Sequence, residues 1–252
     1  FDLHRGTNQR LTFEGENHHD PVWSPDGQRL AFAAEREDGR GGTDIYVKHV
    51  DGRSPAQWVA GFEGFQYPAD WLEDGTITLF SRVGLGAQTD IYMARVGSDA
   101  DAVPLLTADW NEAAPRVSPG GRLLAYISEE TGEPQVFLRE FPDMRGRWQI
   151  SAAPALSPLV WSRDGSAVFY RDRDTGRLLR AQLELEPTFR VVNRVELADR
   201  VIGVPRDLHP DGQRLLLTRQ LGAVAIEEAE PDLVVVTNWF NELRRRLGQE
   251  PR

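Results

Sequence analysis

Apolar residues in this chain come in short runs, each opened by a glycine-bearing turn and followed by a polar stretch. The runs are Leu30 to Ala34, Ile77 to Phe80, Leu123 to Ile127, Ala167 to Tyr170 and Leu215 to Thr218. Their length, aromatic content and bounding turn residues predict strands rather than helices. The turns ahead of them are Asp26-Gly27, Asp74-Gly75, Gly120-Gly121, Asp164-Gly165 and Asp211-Gly212, at steps of 48, 46, 44 and 47 residues. In Ser24-Pro25-Asp26-Gly27 the proline presets φ for the first central turn position, and Asp and Gly tolerate the bridge and left-handed conformations that follow.

Each copy supplies three further signals. A strand ahead of the turn reads Pro21-Val-Trp-Ser, Ala69-Asp-Trp-Leu, Pro115-Arg-Val-Ser, Leu159-Val-Trp-Ser and Arg206-Asp-Leu-His. A third strand reads Asp44-Ile-Tyr-Val47, Asp90-Ile-Tyr-Met93, Gln135-Val-Phe-Leu138 and, more weakly, Arg177-Leu-Leu-Arg180. A fourth closes the unit at Ala56 to Val59, Ala102 to Leu106 and Arg147 to Ile150. Four antiparallel strands repeating at this period make one propeller blade. The expected fold is therefore an all-β propeller of about six blades with the leading blade incomplete. Trp23, Trp71 and Trp161 hold the same place on the first strand, where an indole wedges between blades while its N–H finds a backbone partner.

The period divides one propeller domain, 1–252, into a partial blade at 1–14, blades at 15–62, 63–109, 110–153, 154–199 and 200–237, and a tail at 238–252. Phe1-Asp-Leu-His4 and Gln9 to Phe13 match the third and fourth strands of a blade, so the chain is expected to begin inside one and to be a piece of a longer protein. The last blade is expected to lack its outer strand. Trp239, Phe240, Leu243 and Leu247 recur at helical spacing behind Asn238, an N-cap residue, which predicts a short C-terminal helix.

Composition narrows the function. The net charge of −10 argues against affinity for nucleic acid or anionic membrane, and no apolar run has the length of a membrane span. Arg244-Arg-Arg246, the only basic run, reads as a solvated helix face. The absence of cysteine removes disulfides, thiolate metal sites and a cysteine nucleophile.

Catalytic motifs are missing. Lys48 is the only lysine and no glycine loop precedes it, so neither a Walker loop nor a kinase lysine is present. Gly84-Leu-Gly-Ala-Gln-Thr89 lacks the third glycine of a nucleotide loop, and no Gly-x-Ser-x-Gly elbow occurs. Asp172-Arg-Asp-Thr-Gly176 begins like a calcium loop without its later acidic ligands and reads as a solvated turn. His18-His19-Asp20 is the one histidine cluster, and neighbouring histidines on a strand face opposite ways, which favours a polar rim over a metal site. No catalytic residue, metal ligand or cofactor is expected in this chain.

Binding is the expected role, because blade loops carry recognition on a rigid scaffold. The candidate binding residues are those just ahead of the first strands: His18, His19, Asp20, Gln66, Tyr67, Asn111, Glu112 and Arg206. The loops Glu35 to Gly42 and Arg171 to Gly176 join them. The expected partner is a protein or peptide, with a small molecule as the alternative, and neither nucleic acid nor membrane insertion.

The Trp-Ser-Pro-Asp-Gly turn with its Leu-Ala-Phe and Asp-Ile-Tyr-Val strands resembles the repeat of TolB-like propellers, relatives of the WD repeat. The match covers nearly the whole chain. A narrower resemblance lies in Trp148-Gln-Ile-Ser151, Val160-Trp-Ser-Arg-Asp-Gly165, Pro187-Thr-Phe189 and Val234-Val-Val-Thr-Asn-Trp-Phe-Asn-Glu-Leu243. These look like the C-terminal propeller of bacterial eukaryote-like serine/threonine protein kinases. That resemblance implies a non-catalytic sensor or scaffold domain outside the cytoplasm, periplasmic or at the cell surface, in a membrane-anchored parent whose catalytic residues precede Phe1. The alternatives are a stand-alone TolB-like envelope interaction module and a propeller hydrolase or lyase with its site in the funnel.

Overall fold

A computed structural model of the chain describes residues 10–12, 17–36, 41–82, 88–198, 204–208, 215–218 and 233–236. The predicted C-terminal helix lies outside the described residues, as does most of the leading partial blade. Residues 10–12, expected in a strand, are not in one, and Arg10 Nε donates to the Thr12 carbonyl at 2.7 Å. All described secondary structure is strand, and among the described residues no helix is long and apolar enough to cross a membrane. The chain separates into two compact units, Phe1–Pro115 and Arg116–Arg252.

The first unit holds β1 (His18–Trp23), β2 (Arg29–Glu35), β3 (Thr43–His49) and β4 (Gln57–Ala60), then β5 (Phe65–Trp71), β6 (Thr76–Arg82), β7 (Thr89–Arg95) and β8 (Val103–Leu106). Each set of four is an antiparallel meander. The two join where Thr43 of β3 pairs in parallel with Phe65 of β5, giving one eight-stranded sheet. Ala31, Ala33, Ile45, Val47, Trp71, Ile77 and Leu79 form its core. Alternation along β2, β3 and β6 explains the choice, since the small and β-branched residues fall on packed faces.

β9 (Glu112–Val117) spans the division between units and is the edge of a sheet ordered β12-β11-β10-β9, with β10 (Leu123–Ser128), β11 (Gln135–Glu140) and β12 (Trp148–Gln149). Next comes a sheet of β13 (Ala155–Trp161), β14 (Ala167–Asp172), β15 (Leu178–Glu184) and β16 (Arg190–Ala198). β17 (Val204–Leu208), β18 (Leu215–Thr218) and β19 (Leu233–Val236) complete a three-stranded sheet. Leu124, Tyr126, Phe137, Leu138 and Leu159 are buried in this unit.

The turn motif folds as its residues dictate. The Gly27 N–H donates to the Ser24 carbonyl at 2.8 Å, and Gly27 takes φ 67°. Ser24 Oγ donates to Asp26 Oδ1 at 2.5 Å and accepts from the Arg29 N–H at 2.9 Å, while Asp26 accepts from the Gln28 N–H at 3.0 Å. Ser162 and Asp164 repeat the knot, with Ser162 Oγ donating to Asp164 at 2.6 Å and the Ser166 and Ala167 N–H groups donating at 3.0 and 2.8 Å. Short polar side chains thus satisfy the backbone donors that the turn frees.

The tryptophans divide. Trp161 is 8% exposed and its Nε1–H donates to the Arg116 carbonyl of β9 at 3.0 Å; Trp71 is 5% exposed, with the Arg29 guanidinium 5.0 Å from its ring centre. Each ring sits against the blade before it. Trp23, expected to do the same, is 57% exposed.

Candidate functional site

The first strands of the blades leave their ladders at one recurring place. β1 pairs His19 with Ala33 and Val22 with Ala31, one residue more than β2 spends on the same span. β5 pairs Pro68 with Leu79 and Asp70 with Thr78, leaving Ala69 extra; β17 pairs Pro205 with Leu217 and Asp207 with Leu216, leaving Arg206 extra. In β13 the irregularity falls between Leu156 and Val160. A bulge of this kind bends the strand and re-aims the side chains beyond it. Asp20 at φ 49° and Ala114 at φ 53° hold left-handed backbone three residues before Trp23 and Val117. Such conformations cost non-glycine residues on the order of 1–3 kcal/mol and are over-represented where structure serves binding.

The expected site residues cluster about these bulges with different fates. His18, whose ring meets Phe32 edge-on at 5.3 Å, is half-buried, and His19 and Asp20 are exposed. Tyr67 stacks on Phe80 at 5.1 Å. Gln66 is fully buried: its N–H donates to Thr43 Oγ1 at 2.9 Å, its Nε2 to the Glu63 carbonyl at 3.2 Å, and its Oε1 accepts from the Phe62 N–H at 3.2 Å. Asn111 Oδ1 accepts from the Thr89 N–H at 3.1 Å, and Glu112 is buried at the start of β9. Arg206 is placed by its backbone alone, in the second unit. The first unit therefore gathers seven of the eight, of which His19 and Asp20 are open to solvent.

Beside Gln66 lies a polar arrangement that the sequence reading passed over. Arg36, the last described residue before 37–40, donates through Nε to Asp44 Oδ1 at 2.5 Å and through Nη2 to Gln66 Oε1 at 3.1 Å, and also to the Phe62 carbonyl. Trp58 Nε1 donates to the second Asp44 oxygen at 3.0 Å. Both carboxylate oxygens and the guanidinium are thus satisfied, in a charge-assisted set stronger than neutral bonds. Two glycines make the room. A Cβ on Gly61 would lie 2.3 Å from Asp44 Cγ, and one on Gly42 2.2 Å from the Gly64 carbonyl oxygen. The cavity here is about 570 Å³, with Arg36, Asp44, Phe62 and Glu63 among its walls. Asp44 lies in the repeated Asp-Ile-Tyr motif, which was the available signal.

The second unit has its own features. Asp172 Oδ1 accepts from the N–H groups of Asp174 and Thr175 at 3.0 and 2.7 Å, and these bonds hold its carboxyl below the usual range despite opposing desolvation. The calcium-like segment is thus a closed side-chain turn. Trp148 and Phe189, which carried the narrower resemblance, pack at a tilt of 34° with ring centres 4.7 Å apart, beside a cavity of about 520 Å³. Among the described residues no group of three His, Asp or Glu side chains could hold a metal ion.

Repeated four-stranded antiparallel meanders with irregular first strands are the pattern of a β-propeller. Its fold is TolB-like. TolB from Acinetobacter baumannii matches with a TM-score of 0.61 at 16% identity, over 82% of this chain and 49% of that one. A TolB-like protein from Agrobacterium tumefaciens matches at 0.55 and 20% identity, over 70% and 65%. Oligogalacturonate lyase from Vibrio parahaemolyticus matches at 0.59 and 14% identity, over 86% and 67%. The chain spans about half to two thirds of the length of the two TolB structures. No family model and no curated protein matches it.

Proposed function

We propose that this chain is a non-catalytic binding module for a protein or peptide, working as the C-terminal sensor or scaffold domain of a bacterial serine/threonine protein kinase outside the cytoplasm. The observation that carries the reading is the recurrent bulge. One register irregularity returns in blade after blade while the residues at it differ, with His19 and Asp20 in one, Ala69 in another and Arg206 in a third. A conserved backbone device with varied side chains suits recognition of an asymmetric ligand on a repeating scaffold. The kinase context rests on the resemblance of the Trp148 and Pro187 to Phe189 segments.

The test is capture of a partner from an envelope extract by the immobilised chain, compared with His19→Ala/Asp20→Ala/Tyr67→Ala. Saturable capture that the triple variant loses supports the module and its site. Capture that the variant retains refutes the site. The lyase-like neighbour motivates a second assay: turnover of a polyuronate by the chain, with or without added divalent metal, would overturn the non-catalytic reading.

A further inference from the structure

The repeat allows the first two blades to be compared position by position. In the first, Asp44 begins β3 next to Thr43, and its carboxylate is closed by Arg36 and Trp58. In the second, Asp90 begins β7 next to Thr89 in the same Asp-Ile-Tyr motif. Pro104 stands opposite Tyr92 where Trp58 stands opposite Tyr46, so the indole donor is replaced by a residue with no side-chain donor. The segment between β6 and β7, Val83-Gly-Leu-Gly-Ala-Gln88, contains no arginine or lysine to play the part of Arg36. Gln88 Nε2 donates to the Ala108 carbonyl, much as Arg36 does to that of Phe62 in the first blade, without bringing a charge. Five residues ahead of the Trp71 position stands Gln66, which completes the first blade's set by accepting from Arg36.

The second observation comes from β6. Ser81 pairs directly with Asp90, so the two side chains share a face of the sheet. Ser81 is 3% exposed and its Oγ has no hydrogen-bond partner. A buried hydroxyl without a partner is destabilising and calls for a group to bond. The nearest described arginine in sequence, Arg82, is on the opposite face of β6, over the Phe65 ring at 5.8 Å. Desolvation pushes the Asp90 carboxyl above its ordinary range, as expected of an acid lacking a countercharge, and desolvation, with the Asp90 charge second, raises the Tyr92 phenol.

We propose that Asp90 and Ser81 form an open counterpart of the Arg36 clamp, a site that takes a guanidinium group from an arginine-bearing peptide. The first blade shows the occupied state with the chain's own arginine as the guest. The second is left for a guest from outside. A planar guanidinium matches a carboxylate and a neighbouring hydroxyl with several directed donors, which a lysine ammonium does less well.

This inference rests on the binding-module reading and refines it. The test is titration of the full chain with acetyl-Gly-Arg-Gly-amide and with the same peptide carrying citrulline, isosteric and uncharged, followed by calorimetry and tyrosine resonances. The arginine peptide is expected to bind at least about tenfold more tightly, a difference of about 1.4 kcal/mol. Asp90→Asn should reduce it to the citrulline level, and Asp143→Asn, at an exposed carboxylate outside the candidate segments, should leave it unchanged. Equal binding of the two peptides overturns the proposal, as does full binding by Asp90→Asn. If a captured partner still binds Asp90→Asn normally, the clamp fails and the module stands; if the chain captures no partner and binds neither peptide, both fail.

Discussion

Trp161→Ala is the sharpest probe of how one blade leans on the next. The indole is 8% exposed and its N–H reaches the Arg116 carbonyl at 3.0 Å. Removing a buried tryptophan to alanine costs about 3–5 kcal/mol through lost transfer energy and the cavity left behind. For a chain of this size each kcal/mol moves the melting temperature by roughly 2–4 °C, so the variant should melt about 6–20 °C lower. Trp161→Phe keeps most of the apolar contact and deletes the donor, leaving a carbonyl that was paired, and should cost only about 1–3 kcal/mol. Trp23→Ala is the internal control: the ring is 57% exposed and should change stability by no more than about 0.5 kcal/mol. Thermal melts followed by circular dichroism and urea midpoints measure all three. If Trp161→Ala melts with the parent, or if Trp23→Ala costs as much as Trp161→Ala, inter-blade packing by the buried indoles is wrong.

Other outcomes are equally definite. The hydroxyl of Ser162 and then the Ser166 N–H hold the Asp164 carboxyl down from its ordinary 3.8 to about 2. A carboxyl lowered on folding stabilises the native state above its unfolded pKa and loses that contribution as pH falls through the folded one, so melts should decline between about pH 4 and pH 2. Asp164→Asn should flatten that decline, and an unchanged acid profile would remove the knot from the account. Gly27→Ala should cost roughly 1–2 kcal/mol, the left-handed penalty alone, because nothing lies within 4 Å of the added carbon. Gly42→Ala should cost clearly more, since its Cβ would meet the Gly64 carbonyl oxygen at 2.2 Å; equal urea midpoints for the two would refute the close approach.

Strands and turns were legible because their signals are local. Asp26-Gly27 and Asp164-Gly165 announce a left-handed position in the letters themselves, and β2, β6, β10 and β14 begin within a few residues of such turns. What the sequence concealed depends on partners far along the chain. Gln66 reads as a polar rim residue and is instead sealed by Thr43, Phe62 and Glu63, which only the fold brings to it. Arg36 reads as one charge in a polar loop and is committed to Asp44, eight residues on, and to Gln66, thirty on. Trp23 and Trp161 share a motif and differ in burial, because what covers a ring, such as the β9 backbone that Trp161 reaches at Arg116, is not written in the motif. The bulges carry no composition signal: Ala69 and Arg206 are ordinary strand residues until the register shows them extra.

Thr43 is more than a strand end. Its N–H donates to the Gly64 carbonyl at 3.2 Å, its hydroxyl to the Gln66 carbonyl at 2.7 Å, and it accepts from the Gln66 N–H at 2.9 Å. The first two blades are therefore stitched by polar bonds running from one meander into the next, as well as by side-chain packing. A tug on β4 or β5 is resisted in shear along this seam, so the two blades should tear away as one piece and exchange their amide protons together. Cutting the chain between residues 60 and 65 would leave two halves still sewn to each other.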